Sequence, residues 1–218
     1  MTTKTYGQYC GVARALELVG ERWALLIVRD LLVGPKRYTD LRAGLPKIPT
    51  NVLATRLKEL EQAGLVERRI LPRPSGAIVY ELTAYGADLE GVVLALGRWG
   101  ARSLGELRPD DIITADILVM ALRSTFHPGK LKAKYELHFG EITIHATIDH
   151  DDLTVDTGPL EGAVVLEAFA PIAPLLTGEL DGAAALKSGL LKTSGTAKDI
   201  DRFAAAFPIG PVCVPVDR

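Results

Sequence analysis

Hydrophobic residues in the first part of the chain recur with the period of an α-helix, in stretches separated by glycine and proline. This pattern predicts helices over 12–19 and 22–33. The second of these is apolar on nearly all sides, so we expect it to be buried. Beyond Pro35 a short helix is predicted with Thr39 as its N-cap, and a turn then leads into an amphipathic helix over 52–63.

The pattern then changes to short stretches typical of strands. Residues 65–70 and 77–82 flank a tip rich in proline and glycine, which predicts a hairpin. Thr83 is the predicted N-cap of a helix over 84–104, whose apolar stripe is longer than a small domain needs. A helix, a turn, a second helix and a hairpin in this order predict a winged helix-turn-helix that reads duplex DNA. We expect the spare apolar surface of the last helix, with that of the first, to form a homodimer interface.

Beyond Leu107 the pattern becomes that of a mixed domain. We predict an α+β chain with a winged-helix DNA-binding and dimerisation domain over 1–107 and a second α+β domain over 108–218. The elements predicted in the second domain are a helix over 112–126 capped by Asp111, a hairpin over 134–148 that turns at Gly140-Glu141, a strand over 153–156, a helix over 163–176, a short helix over 183–187, a strand over 190–193 and a helix over 196–207.

Charge divides the chain in the same way. The net charge is −2, but residues 1–108 carry 16 basic and 11 acidic side chains, a surplus of +5, and residues 109–218 carry 9 and 16, a balance of −7. This asymmetry favours phosphate as the partner of the first half only. The two cysteines, Cys10 and Cys213, are far apart in sequence, as is typical of a reducing cytoplasm. No signal peptide or membrane-spanning run is evident, so we expect a cytoplasmic protein without a membrane partner.

Ten residues are candidates for contact with DNA. On the amphipathic helix, three leucines should face inward, which leaves a polar face for the major groove, where Asn can bond adenine and Thr can meet a thymine methyl group. The arginines of the hairpin would meet phosphate or the minor groove. The alternative is a solvated surface in each case. The candidates are Lys36, Arg37, Thr50, Asn51, Ala54, Thr55, Lys58, Arg68, Arg69 and Arg73.

Several of these stretches resemble the HxlR family of winged-helix transcription regulators. The resemblance rests on Gly20-Glu21-Arg22-Trp23, Leu25 to Leu31, Gly34 to Tyr38, Leu53 to Glu61 and Tyr80 to Thr83. It implies homodimers that bind operator DNA, with the first helix and the helix after the hairpin forming the dimer.

Many members of the family have a cysteine at the position of Cys10, and in some it senses oxidants or electrophiles. Members usually have proline after that cysteine, whereas Gly11 follows it here. The structural alternative is an inert thiol. A regulator switched by oxidation of Cys10 therefore remains one alternative function for the chain.

The second half resembles sterol-carrier-protein-type domains. The resemblance rests on 152–155 and on the segment from Leu175 to Gly189, and it implies an α+β module with an apolar tunnel for lipid-like ligands. Apolar residues of the predicted helices could line such a site, although each could equally be plain core. We therefore predict a homodimeric transcription regulator whose operator affinity is modulated by a small hydrophobic ligand in the second domain. The candidates for contact with that ligand are Leu118, Ala121, Leu122, Phe126, Leu175, Leu176 and Phe203. A lipid carrier whose winged helix serves only for dimerisation is therefore the other alternative function.

Catalytic and metal chemistry are not predicted. The chain has no nucleophile elbow, zinc-protease, dinucleotide-binding or phosphate-loop motif, so we expect no enzyme activity and no cofactor. In the predicted hairpin Glu136 lies opposite His145, with His138 and Thr143 on the same face. Because the partner face is apolar, we interpret these residues as the polar side of a half-buried sheet and expect no metal.

Overall fold

The computed structural model describes residues 5–210, and its contacts divide the chain into two compact units, one ending at Val93 and the other beginning at Leu94. Helices and strands occur in both units, which gives a mixed α+β chain. The elements of the first unit are α1 (Gly11–Val19), α2 (Ala24–Val33), α3 (Tyr38–Gly44), α4 (Thr50–Gln62), β1 (Val66–Ile70), β2 (Ile78–Leu82) and α5 (Ala84–Ala87), and α6 (Glu90–Ala101) crosses the boundary between the units.

The first unit is built around one hydrophobic core. α2 contributes Ile27 and Val28 to this core, both fully buried, and α3 contributes Leu41. β1 and β2 pair antiparallel, as the hairpin pattern predicted. Tyr80 of β2 also exchanges two backbone hydrogen bonds with Lys36, at 3.0 and 2.7 Å, which attaches the segment before α3 to the hairpin.

Three predicted helix starts in this unit were wrong. Trp23 has a left-handed backbone (φ 81°), so α2 begins at Ala24 rather than at residue 22. α3 begins at Tyr38, and its N-cap is Arg37 rather than the predicted Thr39, because the carboxylate of Asp40 accepts a hydrogen bond from the backbone N–H of Arg37 at 2.9 Å. α4 begins at Thr50 rather than at residue 52, after Pro49.

The helix predicted over 84–104 is two helices. The capping role of Thr83 is confirmed, since its hydroxyl accepts from the backbone N–H of Gly86 at 3.0 Å. The chain then tightens at 88–89, where Leu89 N–H donates to the carbonyl of Gly86 at 3.2 Å, and α6 follows. A Cβ added to Gly86 would lie 2.0 Å from the carbonyl oxygen of Leu65, so only glycine permits this approach.

The second unit packs helices on a five-stranded sheet. Its strands run in the order β5-β4-β3-β6-β7, with β3 and β6 parallel and every other pair antiparallel. The elements are α7 (Ala115–Thr125), β3 (Lys132–Phe139), β4 (Ile142–Asp149), β5 (Asp152–Thr157), β6 (Val164–Ala168), α8 (Ala173–Leu176), α9 (Gly182–Lys187), β7 (Leu191–Thr193) and α10 (Ala197–Ala206).

The register of the predicted hairpin is confirmed, because Glu136 pairs with His145 across β3 and β4, and its strands extend slightly beyond the predicted range of 134–148. The apolar face of the sheet meets α10, where the ring of Phe203 lies edge-on to Tyr135 with 5.1 Å between their centroids. Both rings are fully buried, as is Phe207, whose centroid lies 4.8 Å from that of Phe203.

Two predicted helices of the second unit were wrong. The helix over 163–176 is instead the strand β6 and the four-residue helix α8, with Pro171 and Pro174 in the segment that follows β6. The helix predicted from 112 begins at Ala115, because Thr114 accepts from Ile117 N–H at 3.2 Å. Asp111, the predicted cap, instead accepts from Arg108 N–H at 3.1 Å.

None of the helices among residues 5–210 has the length and apolar character needed to cross a membrane.

Candidate nucleic-acid interface

α4 has one buried face and one exposed polar face. Leu53, Leu57 and Leu60 are at most 1% exposed, which confirms that they pack inward. The opposite face is open to solvent and carries the five candidates Thr50, Asn51, Ala54, Thr55 and Lys58. The structure therefore brings half of the predicted DNA-binding residues onto one surface.

The Thr55 hydroxyl has a defined orientation on that surface. It donates a hydrogen bond of 2.8 Å to the backbone carbonyl of Asn51, one turn earlier in α4. Because its proton is engaged, Thr55 offers outward a methyl group and an oxygen that can only accept. These groups suit a thymine methyl or an exocyclic amine at a base edge.

Two side-chain contacts position α4 relative to its neighbours. The hydroxyl of Tyr38 in α3 donates to the backbone carbonyl of Thr50 at 2.9 Å. The guanidinium of Arg37, just before α3, donates to the hydroxyl of Ser75 at the hairpin tip at 3.2 Å. Sequence reasoning gave no role to Tyr38 or Ser75, because periodicity does not show which loop returns to which helix.

The hairpin arginines differ in their surroundings. Arg68 forms an ion pair of 2.6 Å with Glu61 and lies over the ring of Tyr80, and Arg69 forms one of 2.7 Å with Glu81. Hydrogen bonding to Arg69 lowers the pKa of the Glu81 carboxyl. Arg73, at the exposed tip, has no ion pair with any residue in the range 5–210. The charge of Arg73 is thus available to phosphate, whereas those of Arg68 and Arg69 are matched by carboxylates.

Lys36 and Arg37 lie between α2 and α3, beside β2. Lys36 is partly buried and Arg37 is exposed. Lys36 pairs with the backbone of Tyr80, and Arg37 contacts Ser75. Lys36 and Arg37 therefore lie next to the hairpin rather than on a separate surface.

Cys10 directly precedes α1 and is exposed. The backbone N–H groups of Ala13 and Val12, at the start of that helix, lower the pKa of its thiol. A helix N-terminus stabilises negative charge, so the thiolate form persists to lower pH than in an ordinary cysteine. Cys213 lies outside the described residues.

Apolar side chains are exposed on α1 and α6. Val12 and Leu16 of α1 are 69% and 46% exposed, and Trp99 of α6 is 72% exposed. Within the first unit, a cavity of about 210 Å³ lies beside α1, and Leu18, Tyr85 and Leu89 are among its lining residues. Unpartnered apolar surface of this kind is typical of a protein–protein interface.

The seven residues predicted to bind a ligand in the second unit differ in their burial. Leu122, Leu175 and Phe203 are buried, Leu118, Phe126 and Leu176 are partly buried, and Ala121 is exposed. Phe203 packs in the core against Tyr135 and Phe207. A surface cavity of about 340 Å³ in this unit is lined by Phe126 but by none of the other six.

The polar face of the sheet is internally bonded. One oxygen of Glu136 lies 2.6 Å from His138 Nε2, and the other accepts from the backbone N–H of Leu160 at 2.6 Å. His145 Nδ1 lies 3.0 Å from the carbonyl oxygen of Gly158. The bond to His138, followed by that from Leu160, lowers the pKa of the Glu136 carboxyl. These side chains therefore hold the loop after β5 against the sheet.

Comparison with known proteins gives matches to the first half of the chain. A family model described as HxlR-like helix-turn-helix matches residues 18–108. The HTH-type transcriptional regulator YodB of Bacillus subtilis is 41% identical over 85 residues, which are 39% of this chain and 76% of that protein. YvaP of the same organism, an uncharacterised HTH-type transcriptional regulator, is 37% identical over 86 residues, covering 39% and 80% respectively. A solved structure of reduced YodB from B. subtilis is 36% identical, covers 48% of this chain and all of that one, and has a TM-score of 0.40.

Proposed function

The chain belongs to the HxlR-like helix-turn-helix family, and we propose that it is a homodimeric transcription regulator whose operator affinity responds to a small ligand bound by its second unit. The observation that carries the DNA-binding part is the exposed polar face of α4. Its leucines are buried, Tyr38 anchors its first turn, and the hairpin tip is linked to the segment before α3 through Arg37 and Ser75.

Within this proposal α4 enters the major groove and Arg73 contacts phosphate or the minor groove beside it. The ten predicted DNA-binding residues then have three different roles. Asn51, Ala54 and Thr55 meet bases, whereas Lys36, Arg37, Thr50, Lys58 and Arg73 meet the backbone. Arg68 and Arg69 keep the hairpin in place through their carboxylate partners.

The ligand-responsive part is supported by the separate second unit and its opposite charge balance. A ligand changes operator affinity only if it binds one geometry of the dimer more tightly than another. The DNA-binding part is tested by fluorescence anisotropy on DNA from upstream of the protein's own coding region, against a scrambled duplex, over a salt series. Tight, salt-dependent binding to the first duplex alone is the expected result. Equal and weak binding to both would leave two explanations, a distant operator or one bound only with the effector, and would favour the lipid-carrier function.

Arg73→Ala is expected to weaken binding to operator and scrambled DNA by the same factor and to flatten the dependence of log K on log salt by about one unit, because one phosphate contact is lost. Arg69→Ala is the matched control, since the charge of Arg69 is already paired with Glu81. Anisotropy titrations between 50 and 200 mM salt, a range over which counterion release is readily measured, provide the comparison. If Arg73→Ala instead changed the sequence preference, the hairpin tip would be recognising the bases or the shape of the DNA.

The exposed thiol at the start of α1 favours a second candidate function, a redox switch. In this scheme hydrogen peroxide oxidises the Cys10 thiolate to a sulfenic acid and is itself reduced to water. The consequence would be a changed dimer surface, because Gly11 and the rest of α1 follow directly.

Cys10→Ser is expected to abolish any effect of hydrogen peroxide on operator affinity, whereas Cys213→Ser, the matched control, should leave it intact. Because the pKa of the Cys10 thiol is lowered, we also expect iodoacetamide to alkylate Cys10 rapidly at a lower pH than it alkylates an unperturbed cysteine. Operator affinity with and without peroxide, and alkylation rates over a pH series, measure both effects. A peroxide response that persists in Cys10→Ser excludes this function.

A further inference from the structure

A surface cavity of about 340 Å³ lies in the second unit, within the size range of small-molecule sites. It lies where the segment after α7, the turn between β4 and β5, and the end of α10 come together. It was not among the sites predicted from the sequence, apart from one residue. The lining consists of Phe126, His127, Pro128, Gly129, Lys130, Leu131, Ile148, His150, Arg202, Ala205 and Ala206.

The chemistry of this lining is unlike that of the unit around it. Acidic side chains outnumber basic ones by 16 to 9 in residues 109–218, yet the lining includes Lys130 and Arg202, two histidines and no carboxylate. The remaining side chains are apolar. An apolar floor with a few convergent polar groups is the usual composition of a small-molecule site.

The cationic groups retain donors that could meet a ligand. Arg202 is 63% exposed and uses one nitrogen on Asp199 at 3.3 Å, which leaves further N–H donors of its guanidinium. Lys130 is exposed and forms no ion pair or hydrogen bond through its side chain with any residue that the structure describes. His150 Nδ1 lies 2.7 Å from Asp149 Oδ1, so its other ring nitrogen remains available.

Backbone hydrogen bonds fix the walls of the cavity. His127 N–H donates to the carbonyl of Ala206 at 2.8 Å, which joins the segment after α7 to the end of α10. His150, in a left-handed conformation (φ 61°), donates to the carbonyl of Leu131 at 2.8 Å and accepts from Gly129 N–H at 3.4 Å. The backbone of the site is thus preformed, so binding would mainly have to order the exposed side chains of Lys130 and Arg202.

Basic residues near helix C-termini have another common explanation, which is compensation of the terminal carbonyl groups. α7 and α10 both end beside this cavity, and four of the carbonyls in their last turns already have backbone N–H partners. Leu122 accepts from Phe126, Phe203 and Ala204 accept from Phe207, and Ala206 accepts from His127. These four carbonyls therefore need no compensation by Lys130 or Arg202.

We propose that this cavity binds a small organic carboxylate with an aryl or short alkyl body. The apolar body lies against Phe126, Leu131 and Ile148, and the carboxylate meets Arg202 and Lys130, whose charge-assisted hydrogen bonds are the stronger kind. The binding site stands independently of the winged helix. Only its role as the effector site rests on the proposed function. The ligand inferred here is anionic and amphipathic, whereas the sequence predicted a purely apolar one.

The test is isothermal titration calorimetry of the full-length protein with 4-isopropylbenzoate, octanoate and the uncharged 4-isopropylbenzamide. We expect at least one of the two carboxylates to bind, and to bind at least tenfold more tightly than the amide. Arg202→Gln should weaken this binding at least tenfold. Lys198→Gln, the matched control, removes one positive charge from an exposed position of the same helix outside the cavity and should leave binding unchanged.

Ala205→Glu is a second variant, since this exposed lining residue of α10 accepts glutamate with only a small loss of helix propensity. It places a carboxylate in the cavity and should abolish binding, while circular dichroism checks that the fold is intact. Absence of binding by both carboxylates, equal affinity for acid and amide, or binding unaffected by Arg202→Gln and Ala205→Glu would each overturn the site.

Operator anisotropy with the same compounds separates this inference from the proposed function. Carboxylate binding without a change of operator affinity supports the site and contradicts its regulatory role. Operator binding that is intact in a protein that binds neither carboxylate contradicts the site and leaves the DNA-binding proposal standing.

Discussion

Replacing Asn51 or Thr55 by alanine is expected to weaken operator binding by about 1–3 kcal/mol, or roughly 5- to 150-fold in Kd, the scale of one good base contact. Both side chains lie on the exposed face of α4, opposite the buried leucines. The loss should be confined to operator DNA, because a base contact adds nothing to binding of a scrambled duplex. Anisotropy titrations on the two duplexes give the two affinities.

Further variants of Thr55 distinguish the groups that it offers. Thr55→Val retains a methyl group but removes the oxygen that accepts, and Thr55→Ser retains the hydroxyl but removes the methyl. If the methyl group makes the contact, Thr55→Val keeps most of the affinity and Thr55→Ser loses it. Gln62→Ala, at the exposed C-terminal end of α4, is the control for a polar truncation away from the reading face. Unchanged operator affinity in Asn51→Ala and Thr55→Ala alike would refute the assignment of this face.

The double variant Val12→Glu with Leu16→Glu is expected to convert a dimer to monomers and to lower operator affinity by about 10²- to 10⁴-fold, the usual gain from two linked binding events. Both side chains are exposed on α1, so glutamate at these positions should leave the first unit folded. At a dimer interface they would be desolvated charges of the same sign, which strongly oppose association. Analytical ultracentrifugation measures the assembly, and anisotropy on full and half operators measures its consequence.

A matched control for this variant is Lys187→Glu on α9, which alters the net charge by the same two units at an exposed position of the second unit. It should remain dimeric and bind the operator as the parent protein does. If the double variant stays a dimer, α1 is not part of the interface, and the exposed side chains of α6, with Trp99 the most exposed, become the surface to test.

Strongly periodic elements of this fold could be predicted from the sequence, and elements defined by distant partners could not. The hairpin of β3 and β4 was predicted with its register because alternation and a glycine turn specify it locally. β6 was wrongly predicted as part of a helix. It lies between two other strands of the sheet, and a short apolar run in such a position does not show the alternation that identifies a strand. The first residue of α3 is set by the hydrogen bond between Asp40 and the backbone of Arg37. Residue preferences alone do not decide between starting positions one or two residues apart.

In the candidate site, the exposed residues of α4 could be predicted from the sequence, but the partners of the hairpin arginines could not. The faces of α4 follow from the spacing of its leucines, so its exposed residues could be predicted. The ion pairs that occupy Arg68 and Arg69 join β1 to Glu61 of α4 and Glu81 of β2, which spacing along one strand does not show. Likewise, apolar helix residues such as Phe203 could be either core or cavity lining until the sheet was placed beneath them.

The pairing of charges in the first unit bears on how fast DNA is found. Arg14, Arg29, Arg56, Arg68 and Arg69 are each matched by a nearby carboxylate. Arg37, Lys58 and Arg73 have no such partner within residues 5–210. Lys58 lies on the exposed face of α4, whereas Arg37 precedes α3 and Arg73 lies at the hairpin tip. In the proposed complex with DNA, these three charges would attract the phosphates of the duplex toward this face. Electrostatic steering of this kind raises the association rate and fades with ionic strength, while the lifetime of the bound state depends on the contacts made after arrival.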